Sequence, residues 1–163
     1  MTNKDNFEIV SKELNPFFKQ NGFNGSKIFW YRKVENFYQV IELQKSNWSG
    51  YYINIGLIID LKNDKIKKTP SYKWHYSTRF DQIVGWNNQD HNSHFGLDFD
   101  SENELIQKTY LIEEKFKELV FPLLDKISNS EYFRKIKNFT VLETFWIKQN
   151  IKEDEIKSFF NIA

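Results

Sequence analysis

The side chains able to do acid–base, metal or anion chemistry in this sequence are few. Three histidines, His75, His91 and His94, make up the whole imidazole supply, and a general base titrating near neutrality would come from among them. His91-x-x-His94 has the spacing of two ligands on one helix face, and Asp90, Asp98 and Asp100 stand close enough to complete an N/O metal shell. The surrounding run NNQDHNSH has no periodicity and reads as an exposed loop, where that spacing loses its geometric meaning. Neither a zinc hydrolase nor any other cofactor site is predicted. Asp98 and Asp100 flank Phe99, so on a strand they would share a face as an acid–base pair. They serve equally well as negative charge ahead of a helix that opens at Ser101.

Arg32, His75 and Arg79 form a second set. Guanidinium forks match carboxylate and phosphate, and an imidazole beside them can exchange a proton near neutral pH. Gathered in one cleft, they would make the anion pocket of a receptor or an enzyme. A third set lies between Lys62 and Lys73, where five lysines and one aspartate precede Trp74 and Tyr76. Lysines next to stacking rings suit single-stranded nucleic acid, but a lysine-rich loop also keeps a sheet edge soluble. With Lys plus Arg at 23 and Asp plus Glu at 22, the formal charge is +1. No overall field draws nucleic acid or an anionic membrane, and neither is a predicted partner. No nucleophile elbow, Walker loop or dinucleotide fingerprint occurs, and the six glycines are scattered. The absence of cysteine removes thiolate chemistry, sulfur-ligated metals and disulfides together. Enzymatic activity has no support from these motifs.

The elements that would position these residues are easier to read. Phe37 to Asp60 contains two apolar-alternating runs joined by Ser46 to Gly50, which is a β-hairpin signal. Lys27 to Val34 is rich in β-formers and turns through Glu35-Asn36 into the first of those runs. A two-residue turn there pairs Val34 with Phe37, Trp30 with Ile41 and Ile28 with Leu43; the next loop pairs Leu43 with Ile53 and Ile41 with Ile55. One face of this meander then carries Ile28, Trp30, Ile41, Leu43, Ile53, Ile55 and Leu57, which helices must cover. Tyr72 to Phe80 alternates again as a fourth strand, with Tyr72, Trp74, Tyr76, Thr78 and Phe80 on one side, and Ile83 to Trp86 is a possible short further element.

Helices flank the sheet. Phe7, Val10, Leu14 and Phe17 predict a helix over 6–20 with Gly22 as its C-terminal cap and a kink or break at Pro16. Ser101-x-x-Glu104 opens a helix through Ile127, with the stripe Leu105, Ile112, Phe116, Leu119, Leu123 and Ile127 and an interruption at Pro122. Ser130 caps a short helix through Lys137, Thr140 to Lys148 reads as mostly helical with a strand as the alternative, and 152–161 forms a terminal helix. The expected fold is therefore α+β: an antiparallel β-meander of four or five strands, with an N-terminal helix and a C-terminal helical segment packed on it. At 163 residues, 40% apolar and 28% charged, one domain spanning 1–163 is expected. No signal-peptide pattern opens the chain, and its apolar runs are too short to cross a bilayer, so a soluble cytoplasmic protein is expected.

The other face of the meander would show Phe29, Tyr31, Tyr38, Val40, Glu42, Gln44, Tyr52, Asn54 and Ile58, with Gly56 as a gap among large side chains. Aromatic residues make up 18% of the chain, and rings in that number fill a core or form an adhesive surface. Tyr31, Tyr38, Glu42, Gln44, Tyr52 and Asn54 compose a partner-binding surface: tyrosines supply area at low entropic cost, and the polar groups set orientation. If the C-terminal helices cover this face, the same residues are structural.

Several short motifs occur in a recognisable order. Leu14-Asn15-Pro16 leads into Asn21-Gly22-Phe23, and Phe29-Trp30-Tyr31-Arg32 follows. Next come Gln44-Lys45-Ser46 with Tyr52-Ile53-Asn54-Ile55-Gly56, then Thr78-Arg79-Phe80, then Phe121-Pro122-Leu123-Leu124-Asp125. Over about residues 7 to 127, this order resembles the bacterial family known as domain of unknown function 4304. The chain departs from the family near Trp86, where a Trp-Trp pair is common, and its last thirty-odd residues carry none of the pattern. The resemblance implies an α+β fold and a small cytoplasmic protein, and brings no established activity. Such chains are similar in size and style to stand-alone immunity or interaction proteins, which neutralise a toxin by covering it. The combined expectation is a non-enzymatic protein-binding module, with the Arg32, His75 and Arg79 anion pocket as the alternative. Its oligomeric state is not legible.

Overall fold

Val10, Leu14, Phe17 and Phe18 fall on one stripe of the first helix, α1 (Asn3–Gln20), and all four are buried. The helix runs unbroken through Pro16, contrary to the expected kink or break; the ring lies on the exposed side of the helix. Its end is a Schellman cap. Gly22 takes φ +84, its N–H donates to the Lys19 carbonyl, and the Phe23 N–H reaches back to Phe18, whose ring meets that of Phe23. The structure, a computed structural model, describes residues 3–45, 51–63, 66, 68–85, 102–148 and 150–163. His91, His94, Asp90, Asp98, Asp100, the Ser101 cap, Trp86 and the Ser46–Gly50 loop lie outside the described residues.

Seven strands follow: β1 (Asn24–Ser26), β2 (Phe29–Val34), β3 (Phe37–Lys45), β4 (Tyr51–Ile59), β5 (Tyr76–Arg79), β6 (Val141–Leu142) and β7 (Phe145–Ile147). They form one antiparallel sheet in the order β1-β2-β3-β4-β5-β7-β6. The α+β class and the meander stand, but the expected four or five strands become seven. The additions are short: β1 doubles the chain back on β2, and β6–β7 is a tight hairpin within the segment read as mostly helical. Register in the centre follows the period-two pattern, with Val34 opposite Phe37, Trp30 opposite Ile41, and Ile41 opposite Ile55.

The helices are α2 (Phe80–Val84), α3 (Glu102–Lys115), α4 (Phe121–Ile127), α5 (Ser130–Lys135) and α6 (Glu153–Phe159). A π turn, Phe116–Val120, joins α3 to α4. That wider turn precedes Pro122 and carries the chain past it without a break. It also adds a residue to the repeat. The buried stripe therefore passes from Leu105, Ile112 and Phe116 to Val120, Leu124 and Ile127, whereas Leu119, expected inside, is 41% exposed and Leu123 only half-buried. Asn129, not Ser130, caps α5 by accepting from the Glu131 and Tyr132 N–H groups. Ser130 donates instead to Glu35 in the β2–β3 turn.

One face of the sheet and the inner sides of the helices form the main core. Phe18, Trp30 and Phe116 meet near α1, and Phe37, Phe133 and Phe160 stack at the opposite end with centroids 4.9 to 5.5 Å apart. Each ring so buried contributes roughly 1.5–3 kcal/mol. Trp30 Nε1 donates to Asn15 Oδ1 at 3.0 Å, which ties the helix layer to the sheet. Among the described residues, no helix is long and apolar enough to cross a membrane.

Candidate functional site

Alternation along the strands sends a second set of side chains to the face away from that core. Its buried cluster, Phe29, Tyr38, Val40 and Trp74 with Tyr31, Ile58 and Ile66 against it, contains no helical residue. The C-terminal helices do not cover this face. What covers part of it is the connection between β4 and β5. Of its described residues, Ile66 packs against the cluster, Ser71–Lys73 makes a 3-10 turn, and Trp74 drops onto the gap at Gly56. Trp74 Nε1 donates to the Thr69 carbonyl at 2.8 Å, which closes the loop on itself. The expectation that Trp74 shares a side with Tyr76 is thus corrected: the strand begins only at Tyr76, and alternation does not extend across the turn before it.

Across β3, β4 and β5, Glu42, Asn54 and Arg79 lie in one row. Asn54 Nδ2 reaches Gln44 Oε1 at 2.7 Å, Glu42 Oε2 at 3.1 Å and Ser71 Oγ at 3.5 Å. Beside this cluster, the Arg79 guanidinium lies over the Tyr52 ring, 4.1 Å from its centroid. Tyr72, next in the chain to Ser71, and Trp146 are the most exposed rings among the described residues, at 69% and 64%. By register Trp146 stands opposite Ser77, so it lies on this same face.

All six residues expected on the partner surface share this face. They differ in access. Tyr38 and Asn54 are buried, the first under the β4–β5 connection and the second beneath Ser71, whereas Tyr31, Glu42 and Tyr52 are half-buried and Gln44 is exposed. Arg79, Tyr72 and Trp146 were not assigned to the surface from sequence. The alternating YKWHYSTRF run places Arg79 opposite Tyr76 and would have reported it; Trp146 belongs to a segment read mainly as helix.

Arg32, His75 and Arg79 are not brought together. Arg32 points to the helix-covered side and is consumed there: its Nε and Nη2 donate to Gln39 Oε1 at 3.0 and 2.7 Å, Nη1 to the Asn21 carbonyl, and Nη2 to Asp125 at 2.7 Å. Phe23 and Phe121 pack on its guanidinium. Arg79 ends β5 and lies over Tyr52, whereas His75 precedes the strand and is turned to the Ile59 backbone. His75 Nδ1 accepts the Ile59 N–H at 2.8 Å, and burial lowers its pKa to about 4, with the Glu155 carboxylate opposing the fall.

A cleft of about 670 Å³ is lined by Tyr38, Ile58, Asp60, Ile66, Thr69 and His75 among others. Asp60 is held by Lys33 at 2.8 Å, and that hydrogen bond raises the lysine pKa. Among the described residues, no three His, Asp or Glu side chains are grouped to hold a metal ion.

The family model described as "Domain of unknown function (DUF4304)" matches residues 14–126, more than half of the chain, and the chain belongs to that family. The match takes in β1 to β5 and ends inside α4, leaving β6, β7 and α6 outside it. No curated protein and no solved structure matches the chain. Motifs that carried the family resemblance meet in space: Asn15 holds Trp30, and Arg32 holds Asp125. These residues staple helices to sheet and leave the outer face to do other work.

Proposed function

From its place in the DUF4304 family, whose description assigns no activity, we propose that the chain is a non-enzymatic binding module. It takes another protein on the open half of its outer sheet face. The observation that carries this reading is the row Glu42, Asn54 and Arg79, fixed by internal hydrogen bonds and by the Tyr52 ring, with exposed Trp146 on the same face. Arg, Tyr and Trp beside a few oriented polar groups are what interface hot spots are made of, and the Arg79–Tyr52 pair, already stacked, loses little side-chain freedom on docking. Tyr38 and Asn54 support this surface from beneath. A partner covered in this way would be neutralised without chemistry, as an immunity-like protein in the cytoplasm would do.

The test is a pull-down from the source cell at moderate salt, comparing wild type with a Tyr52→Ala, Arg79→Ala double variant of unchanged fold. The retained protein is then purified and rebound. A partner that binds purified wild type at a fixed stoichiometry, and the double variant at least tenfold more weakly, supports the reading. If wild type and variant retain the same proteins equally, or nothing rebinds, the open face is not the interface.

A further inference from the structure

We propose that Arg79 is the specificity residue of the open face, and that the partner it selects is a protein segment presenting an Asp or Glu carboxylate next to an aromatic ring. This inference rests on the binding-module reading and names the chemistry of what that face takes. The chain has three arginines, and it uses them differently. Arg32 spends its N–H groups on Gln39, Asn21 and Asp125, and Arg134 donates through Nε to the Phe160 carbonyl. Arg79 is exposed and, among the described residues, donates no hydrogen bond and forms no ion pair. What holds it is the Tyr52 ring, which occupies one side of the guanidinium and supplies no oxygen acceptor.

The nearby carboxylates in the sequence and in the row are turned elsewhere. Glu42, two strands across from Arg79, accepts from Asn54, and Asp81, two residues further on, accepts from Gln82. Two strand spacings are roughly 10 Å, about a Debye length, so Glu42 offsets little of the Arg79 charge. A guanidinium fork held on a strand matches a carboxylate through two parallel hydrogen bonds. No second cation shares the row, which suits one carboxylate rather than a phosphate, whose binding sites cluster arginines. Trp146 supplies the other contact. It stands opposite Ser77, two positions before Arg79 on the same side of β5, so the ring and the guanidinium occupy diagonal places on one face. At 64% exposed, it offers the ring of a partner a surface to stack on.

The probe is a random dodecapeptide library displayed on phage, selected on the full chain; the enriched peptides are then synthesised and titrated by calorimetry into wild type, Arg79→Gln and Trp146→Ala. Both substitutions are on exposed side chains, and an unchanged circular dichroism spectrum checks the fold. The expected result is enrichment of peptides that place Asp or Glu beside Trp, Phe or Tyr. Replacing that carboxylate by its amide should weaken binding to wild type about tenfold, and the acid and amide forms should bind Arg79→Gln alike. Enriched peptides that lack a carboxylate and ignore Arg79→Gln, but lose binding to Trp146→Ala, would overturn this inference and leave the open face as the interface. Peptides indifferent to both substitutions, or no enrichment at all, would overturn the inference and count against the face as well.

Discussion

Trp74 is seated on Gly56: a Cβ built on the glycine would lie 2.1 Å from Trp74 Cε3 and 2.8 Å from the Tyr76 carbonyl oxygen. The glycine is needed here for close approach. It is the socket in which the β4–β5 connection is pinned to the outer face. Gly56→Ala should therefore lift the indole and destabilise the protein by about 1–3 kcal/mol, as overpacking does. The same change should expose residues 69–74, which Trp74 anchors, to protease. Urea unfolding and limited proteolysis read both effects, and a variant as stable and as resistant as wild type would mean that the connection is held by something else.

Arg32 and Asp125 give a second prediction, in which the two partners are unequal. Arg32→Ala strands the wholly buried Gln39 amide oxygen and removes the partner of the Asn21 carbonyl, while Asp125 keeps the Gln39 Nε2 hydrogen bond and water; it should cost about 2–4 kcal/mol. Asp125, with its side chain 57% exposed, loses little when neutralised, so Asp125→Asn should cost less than about 1 kcal/mol. Chemical denaturation of the two variants should separate them. Equal losses would place the energy in the ion pair rather than in the buried amide.

Stability should fall with acid through His75. Above pH 6.5 both native and unfolded forms hold the ring neutral. Between 6.5 and about 4 the unfolded chain takes up a proton that the buried ring refuses, so the native state is progressively disfavoured. The total is roughly 1–3 kcal/mol, levelling off below pH 4, where the native ring protonates too. His75→Gln keeps an acceptor for the Ile59 N–H and removes the titration. The difference in unfolding free energy between wild type and this variant should therefore change across that window; a constant difference would show that the ring is solvated in the fold.

The π turn makes adjacent residues behave oppositely. Val120 is wholly buried and Leu119 is 41% exposed. Val120→Ala should cost about 1–3 kcal/mol and Leu119→Ala about 0.5 kcal/mol or less. Thermal unfolding decides, and the reverse order would mean that an ordinary helical repeat continues through Pro122.

Much of the sheet was legible because strand faces are a local property. Alternation from Phe29 to Ile59, with a two-residue turn at Glu35-Asn36, left one register that puts Trp30, Ile41 and Ile55 on one side. The candidate surface followed from the same parity, and Gly56 was visible as a gap before anything was known to fill it. Helix stripes were legible up to the point where the π turn changed the period. The β6–β7 hairpin was not, since strands of two and three residues are too short for any periodicity to emerge.

What the sequence by itself determined, then, is the α+β class, the central register and which side chains of β2, β3 and β4 share each sheet face, all of which rest on spacings of two to four residues. Only the tertiary structure decided what lies on each face. Arg32 is taken by Asp125, 93 positions away. Tyr38 is covered by the β4–β5 connection rather than by the C-terminal helices, and Trp74 crosses to the side opposite Tyr76. Contacts of this kind depend on the path of a long connection and on which buried donors find acceptors, and no local pattern of residues encodes either.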